Sequence, residues 1–312
     1  MAEPPVIRFV AGRLLGGLAV IAAVATACFF LLHAAPGGPF DGEARMAPEI
    51  RRNLEDHYHL RDPLWRQYAA YMAGLARGDL GPSIKRPQTV NELIAAHVAV
   101  SATIGLCALG IAIGLGLAIG VAAARRHGRW PDRGLMTLAL IGISVPSFVL
   151  GPMLVAVIAI RLGWLPPVRI DGPSGYVLPA ITLGLIYTGA IARLTRAGLL
   201  DVLGQDYVRT ARAKGLAERA VVWRHALRLG VVPAVSYLGP AAAALISGSI
   251  VVEKIFEVPG LGFYFVASIV DRDYPVLTGV FVFYVAIVVA LNLVVDLVHG
   301  WLDPRLARAS SR

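Results

Sequence analysis

Charge is the scarcest thing in this sequence. Asp, Glu, Lys and Arg make up 16% of its 312 residues, well below the roughly 25% of soluble domains. Hydrophobic residues make up 57%, and the mean hydropathy is +0.67. That balance cannot cover a water-exposed surface, so the chain is read as an integral membrane protein. Cysteine is nearly absent. Cys28 and Cys107 both lie in apolar runs, which excludes a disulfide framework or a cysteine-ligated metal site. No G-x-x-x-x-G-K-[ST] stretch occurs, so the chain has no P-loop with which to hold ATP. H-E-x-x-H and G-x-S-x-G are missing too, and no nucleophile–base or metal constellation of an intramembrane enzyme replaces them. His57 and His59 form a lone His-x-His without further ligands at metal-site spacing. No cofactor is expected.

Acids are fewer than bases, 20 against 29, for a net charge of +9. A basic chain suggests nucleic acid as a partner. Here the charges gather in short segments beside apolar runs, which is the signature of membrane topology rather than of a binding face.

Six uncharged runs are each long enough to cross about 30 Å of hydrocarbon: Leu14–Leu32, His97–Ala124, Gly134–Ile160, Gly172–Ala192, Leu229–Val252 and Tyr274–Val295. The first has Arg8 and Arg13 before it and is too long for the core of a cleaved signal peptide, so it is read as a retained span. The expected architecture is an all-α integral membrane fold with six transmembrane helices. The first lies within 1–35; the others cover 98–124, 134–160, 174–194, 231–252 and 275–298. Pro146 and Pro152 predict kinks in the third. Almost no ionisable residue lies inside these runs. Asp296 and His299 come nearest, at the inner end of span six, and read as interfacial residues rather than a proton relay. A passage without buried charge argues against proton-coupled transport.

With the N-terminus inside, the cytoplasmic segments hold 17 Lys and Arg and the outer ones 12. The short connections separate best, with four basic residues in 125–133 against two in 161–171. Both termini are therefore expected in the cytoplasm, with a tail from 301. Residues 36–96 form an outer insertion between helices one and two. Ile50 and Leu54, then Leu64, Tyr68, Tyr71, Met72 and Leu75, predict two short amphipathic helices in it. Between spans five and six, Pro259, Gly260 and Gly262 mark turns, and Phe263–Val270 is apolar but too short to span, so it reads as an outer re-entrant or interfacial helix.

The cytoplasmic loop 195–230 carries the most specific stretch, Asp206-Tyr-Val-Arg-Thr-Ala-Arg-Ala-Lys-Gly-Leu216. Asp206 is expected to cap a short helix and Gly215 to close it in the left-handed conformation. Arg212 and Lys214 fall where cations favour the helix dipole. Helices this short are marginal alone, so something must pack on it. Ala211 and Gly215, four apart, would let another backbone approach closely. A basic loop that only sets topology remains the alternative.

This stretch, followed by Trp223-Arg-His-Ala-Leu-Arg228 and Pro233, resembles the cytoplasmic "EAA" loop of bacterial ABC importer permeases in its peptide-transporter version, with Arg209 where the loop's eponymous Glu usually stands. Ala35-Pro-Gly-Gly-Pro-Phe40, Tyr58-His-Leu-Arg-Asp-Pro63 and Gly78-Asp-Leu-Gly-Pro-Ser83 are similar to the outer region of the oligopeptide-permease B-type subunit. Gly248-Ser-Ile-Val-Val-Glu253, Pro259-Gly-Leu-Gly262, Arg272-Asp-Tyr-Pro275 and Leu302-Asp-Pro-Arg305 are similar to its last third.

The resemblance implies a type I ABC importer permease fold in the bacterial inner membrane and a transport subunit that is not itself an enzyme. It implies a homologous second permease subunit, two cytoplasmic ABC ATPases, an extracytoplasmic peptide-binding protein and a peptide substrate. The helix at 206–215 would be the coupling helix, with Asp206, Tyr207, Arg209, Ala211, Arg212, Lys214 and Gly215 at the ATPase. Ser144, Ser147, Tyr187, Thr188, Ser236, Tyr237 and Ser247 could supply polar contacts in a substrate path, or could equally bond helix to helix. Dipeptides, murein peptides, glutathione or nickel are alternative cargoes. A self-sufficient channel or carrier is the rival of a different class; the capped basic loop and the lack of buried charge weigh against it.

Overall fold

A capping box sets off the longest helix. Thr89 Oγ1 accepts from the Glu92 N–H at 3.2 Å, and Glu92 Oε2 accepts from the Thr89 N–H at 2.8 Å. The helix therefore starts at Val90, earlier than the expected 98, and takes the last residues of the expected insertion into itself. The computed structural model describes residues 5–35, 60–168, 172–246 and 250–302. We label its principal helices α1 (Pro5–Ala34), α2 (Leu64–Ala76), α3 (Val90–Arg125), α4 (Trp130–Ser144), α5 (Ser147–Leu154), α6 (Val177–Leu203), α7 (Asp206–Ala213), α8 (Val232–Ile246), α9 (Ile250–Ile255), α10 (Leu261–Asp271) and α11 (Tyr274–Leu302). Among the described residues, five helical stretches are long and apolar enough to cross a membrane, and a bent pair makes a sixth where it counts as one span.

The kink expected in the third span is a sharp break between two helices. α4 and α5 meet at 102°. Proline forces the residue before it out of the helical region, and Val145 lies at ψ 116°. Pro146 then starts α5, which contains Pro152 and runs on as a π-helix over Val155–Arg161. Pro146 thus turns the chain sharply at Val145, while Pro152 lies inside the helix that follows.

α6 is the central post, and glycine lets its neighbours reach it. A Cβ added at Gly120 of α3 would stand 2.6 Å from the Ala192 carbonyl oxygen of α6, and one at Gly184 of α6 would stand 2.8 Å from the Ala108 carbonyl oxygen of α3. Lipid tails give helices no hydrophobic reason to associate, so close backbone packing through small residues does that work. On another side Gly189 of α6 abuts the Ala139 carbonyl of α4, and Gly105 of α3 abuts the Leu245 carbonyl of α8. α1 stands outside this group against α11. Gly17 faces Val289, and Arg13 grips Asp296 with two bonds of 3.2 and 3.1 Å. Asp296 is thus a paired residue in the last third of α11, while the side chain of His299 lies outside the described residues.

The expected second amphipathic helix of the insertion is α2. It lies on α1 through Tyr68, Tyr71 and Phe29, and the Tyr68 hydroxyl is 2.8 Å from Thr26 Oγ1. The expected first helix around Ile50 and Leu54, together with His57 and His59, lies outside the described residues.

Bulk at the glycine contacts should be resisted selectively. Gly120→Leu is expected to destabilise the detergent-solubilised protein by about 1–3 kcal/mol or more, the usual cost of overpacking. Gly114→Leu, with nothing within 4 Å of an added Cβ, should leave the thermal midpoint nearly unchanged. Equal midpoints for the two variants would contradict the packing described.

Candidate functional site

The inner ends of α3 and α6 form a platform. Val121 and Ala124 of α3 and Leu199 and Val202 of α6 are buried together with Val208 and Ala211 of α7 and with Val221, Val222 and Ala226. The last three belong to the segment that returns to α8 through Glu218–Ala220, a π-helix over Val221–Ala226 and Leu227–Gly230. This is the support that a two-turn helix needs. The return is tight: Gly198 meets the Gly230 carbonyl, and Gly230 in turn lies against Leu199.

α7 is closed as expected. Gly215 has φ +79°, its N–H donates to the Arg212 carbonyl at 2.9 Å, and the Leu216 N–H donates to the Ala211 carbonyl at 3.4 Å. This pair of bonds is the Schellman motif, which favours glycine because only glycine enters the left-handed region without strain. The start differs from the expectation. The residue in the capping position is Gln205, no side chain caps the helix, and Asp206 is the first helical residue. Its carboxylate is spent on Arg209 Nη1 at 3.3 Å, in an exposed pair.

The expected docking residues divide between two faces. Ala211 is buried, 6% exposed, so its small side chain seats α7 on its own bundle and offers nothing outward. Arg212 also works internally. Its Nη2 and Nε donate to Glu218 Oε1 and Oε2 at 2.8 and 3.1 Å, and Nη1 reaches the Leu203 carbonyl at 3.4 Å. That guanidinium holds the Glu218 carboxyl below the usual carboxylate range. Tyr207 donates to the His225 carbonyl at 3.3 Å and is part exposed. Arg209, Lys214 and Gly215 are exposed, and so are Thr210, Ala213 and Leu216. The outward face is thus basic with apolar rims.

Sequence reading missed Val208, Glu218 and the platform residues. It also missed a buried clamp beside them. Asp132, 2% exposed, accepts from Arg196 Nε and Nη2 at 2.7 and 2.8 Å and from the Gly128 N–H at 2.9 Å. This ties the α3–α4 turn to α6. The available signal was a single acid in the otherwise basic turn 125–133. Of the residues considered for a substrate path, Ser144, Thr188 and Ser236 bond carbonyls one turn back in their own helices. The Tyr187 and Tyr237 rings lie 6.3 Å apart. Ser247 is outside the described residues.

The bundle thus presents a short helix buttressed by the ends of two of its spans. The family described as the binding-protein-dependent transport system inner membrane component matches residues 116–308, and the chain belongs to it. The oligopeptide transport system permease protein OppB of Haemophilus influenzae is 38% identical over 304 residues, covering 96% of this chain and 99% of that protein. The dipeptide transport system permease protein DppB of Bacillus subtilis is 41% identical over 300 residues, covering 96% and 97%. A chain from the inward-facing MetNI methionine ABC transporter superposes with a TM-score of 0.57 at 16% identity, over 68% of this chain and 96% of that one. The fold is that of a type I ABC importer permease.

The Arg212–Glu218 bridge gives a testable pH and salt signature. The depressed carboxyl contributes its stability above the ordinary glutamate range and loses it as pH falls below that range through the carboxyl's lowered value in the folded protein. An exposed pair is worth at most about 1 kcal/mol, so Glu218→Gln should speed amide exchange over 206–216 by no more than about fivefold at pH 7. High salt, or acid once rates are corrected for the intrinsic pH dependence of exchange, should reproduce that increase in the wild type. Unchanged exchange in all three cases would remove the bridge from the account.

Proposed function

We propose that this chain is one membrane-spanning subunit of an ATP-driven importer of oligopeptides, and that α7 with Gly215 is the helix through which separate ATPases move it. The observation that carries the reading is the two-faced construction of α7. One face is fixed to the ends of α3 and α6 and to the return segment. The other is exposed and basic, and ends in a stop that glycine defines. A partner engaging the outer face would pull on two spans and on the entry to α8 at once. Nucleotide bound by the ATPases would favour one arrangement of the spans over another, which is transport by population shift. The absence of a P-loop from the sequence agrees with hydrolysis on other chains.

In this reading Tyr207, Arg209, Lys214 and Gly215 face the ATPase, while Ala211 and Arg212 hold the helix in position for it. Asp206 supports docking by orienting Arg209. A homologous second permease subunit completes the passage, and an extracytoplasmic binding protein delivers peptide to the side of α2 and α10. Both termini are cytoplasmic. Oligopeptide cargo is supported by the 38% identity to an oligopeptide permease across nearly the whole chain. The equally extensive likeness to a dipeptide permease makes shorter peptides the second reading.

Co-purification tests the docking. The chain would be expressed with its sister permease and ATPases, solubilised and captured. Gly215→Val places a β-branched residue at positive φ, so it should lose the ATPases while still inserting and folding. Gly215→Asn, which tolerates that conformation, should keep most of them. Equal retention by wild type and Gly215→Val would sink the docking role. A folded wild type that never holds an ATPase would instead favour a channel or carrier.

A further inference from the structure

A carboxylate without a role in the reading above lies at the opposite end of the bundle. Glu253, in α9 at the end of the span Val232–Ile255, is 1% exposed, and Ser101 of α3 is 0% exposed. The Ser101 hydroxyl donates to Glu253 Oε1 at 2.8 Å and accepts from the Leu261 N–H at 2.8 Å. Glu253 Oε2 accepts from the Phe263 N–H at 3.1 Å. Leu261 and Phe263 open α10, whose first turn has no side-chain cap of its own. One carboxylate and one hydroxyl from two other helices supply that cap, placed where the helix dipole favours negative charge. The backbone has been cleared for them. A Cβ at Gly260 would meet both Glu253 Oε2 and Ser101 Oγ at 2.5 Å, and one at Gly262 would lie 3.0 Å from Glu253 Oε2.

The far end of α10 is tied separately. Asp273, 0% exposed, accepts from the Ser83 hydroxyl and from the Ile84 N–H at 3.2 Å, and Asp271 pairs with Arg86 at 3.4 Å. α10 is too short to span, and its Ile269 and Val270 are 51% and 76% exposed. It is therefore a short apolar cover pinned at both ends, and its first turn is fastened to the span that leaves the α7 platform.

We propose that Glu253 is a positioning residue for transport: its carboxylate, with Ser101, makes the end of the fifth span, α3 and the start of α10 move as one piece, so that the cover shifts when the loop helix does. The proposal rests on the transport reading above. The Ser101 hydroxyl and the Phe263 N–H supply donors to a carboxylate whose burial would otherwise be costly. Glutamine keeps the shape but sets an NH2 group against a donor, leaving one buried bond unmade.

The test uses the complete complex, with sister permease, ATPases and binding protein, in proteoliposomes. Glu253→Gln and Ser101→Ala are each placed in a background with Cys28 and Cys107 replaced and Val270→Cys as a reporter. The complex should assemble and hydrolyse ATP within about twofold of wild type. Peptide imported per ATP should fall about tenfold in Glu253→Gln, the scale of one buried bond left unmade, and less in Ser101→Ala. Labelling of the reporter should lose its dependence on nucleotide. Import per ATP and labelling equal to wild type would overturn the proposal. Failure of both variants to assemble would overturn it too, by reducing Glu253 to a folding residue. A wild-type complex that assembles and imports nothing would count against the transport reading itself.

Discussion

The close approach of α3 and α6 is the contact on which the rest of the structure depends. Their backbones come together where Gly116, Gly120 and Gly184 remove side chains from the interface. In lipid that proximity cannot be driven by apolar burial, because the tails are as apolar as the side chains. It comes from dispersion between surfaces that fit, and each such gain is small unless the fit is continuous. Glycine repeated along one seam provides that continuity. Because the seam extends to the last turns of both helices, Val121, Ala124, Leu199 and Val202 arrive together at one end. That shared end is what α7 rests on.

The few charged groups in or near the bundle follow a common rule. Asp132 is held by Arg196, Asp296 by Arg13, Glu253 by a hydroxyl and an N–H, and Asp273 by a hydroxyl and backbone N–H groups. Each joins segments distant in the chain. A group so engaged is badly suited to pass protons and well suited to fix geometry, since leaving it unpartnered is costly. The scarcity of charge noted at the outset therefore has a structural counterpart. Among the described residues, the buried acids Asp132, Glu253 and Asp273 each fasten segments distant in the chain.

The sequence made some of these features legible and hid others, for physical reasons. Uninterrupted apolar length is a one-dimensional property, so the spans could be read directly. Gly215 was also legible, because a left-handed helix stop is a local backbone demand. The start of α7 was not. Gln205 and Asp206 are neighbours, and which one caps depends on where the chain leaves α6. Ala211 was correctly seen as small, but which side it faces is decided by Val221, Val222 and Leu199, remote in sequence. The partner of Arg212 lies beyond the turn, and the cap of α10 comes from two other helices. The break at Pro146 was underestimated because a proline's effect depends on whether neighbours rescue the freed carbonyls, which only the packed bundle decides.

These placements explain how a small movement at one end could reach the other. Packed interfaces do not deform continuously; they shift between arrangements. α7 is joined to the return segment, the return segment to α8, and the span Val232–Ile255 carries Glu253 at its far end. α7 is seated by an apolar cluster, the return segment by the Gly198–Gly230 contact, and the start of α10 by the buried bonds of Glu253 and Ser101. Among the described residues, the outward face of α7 and the exposed Ile269 and Val270 of α10 lie at the two ends of that route. A lever needs stiff connections between its ends and open surfaces at them, and the coupling proposed between α7 and α10 would use these bonds and glycines in that way.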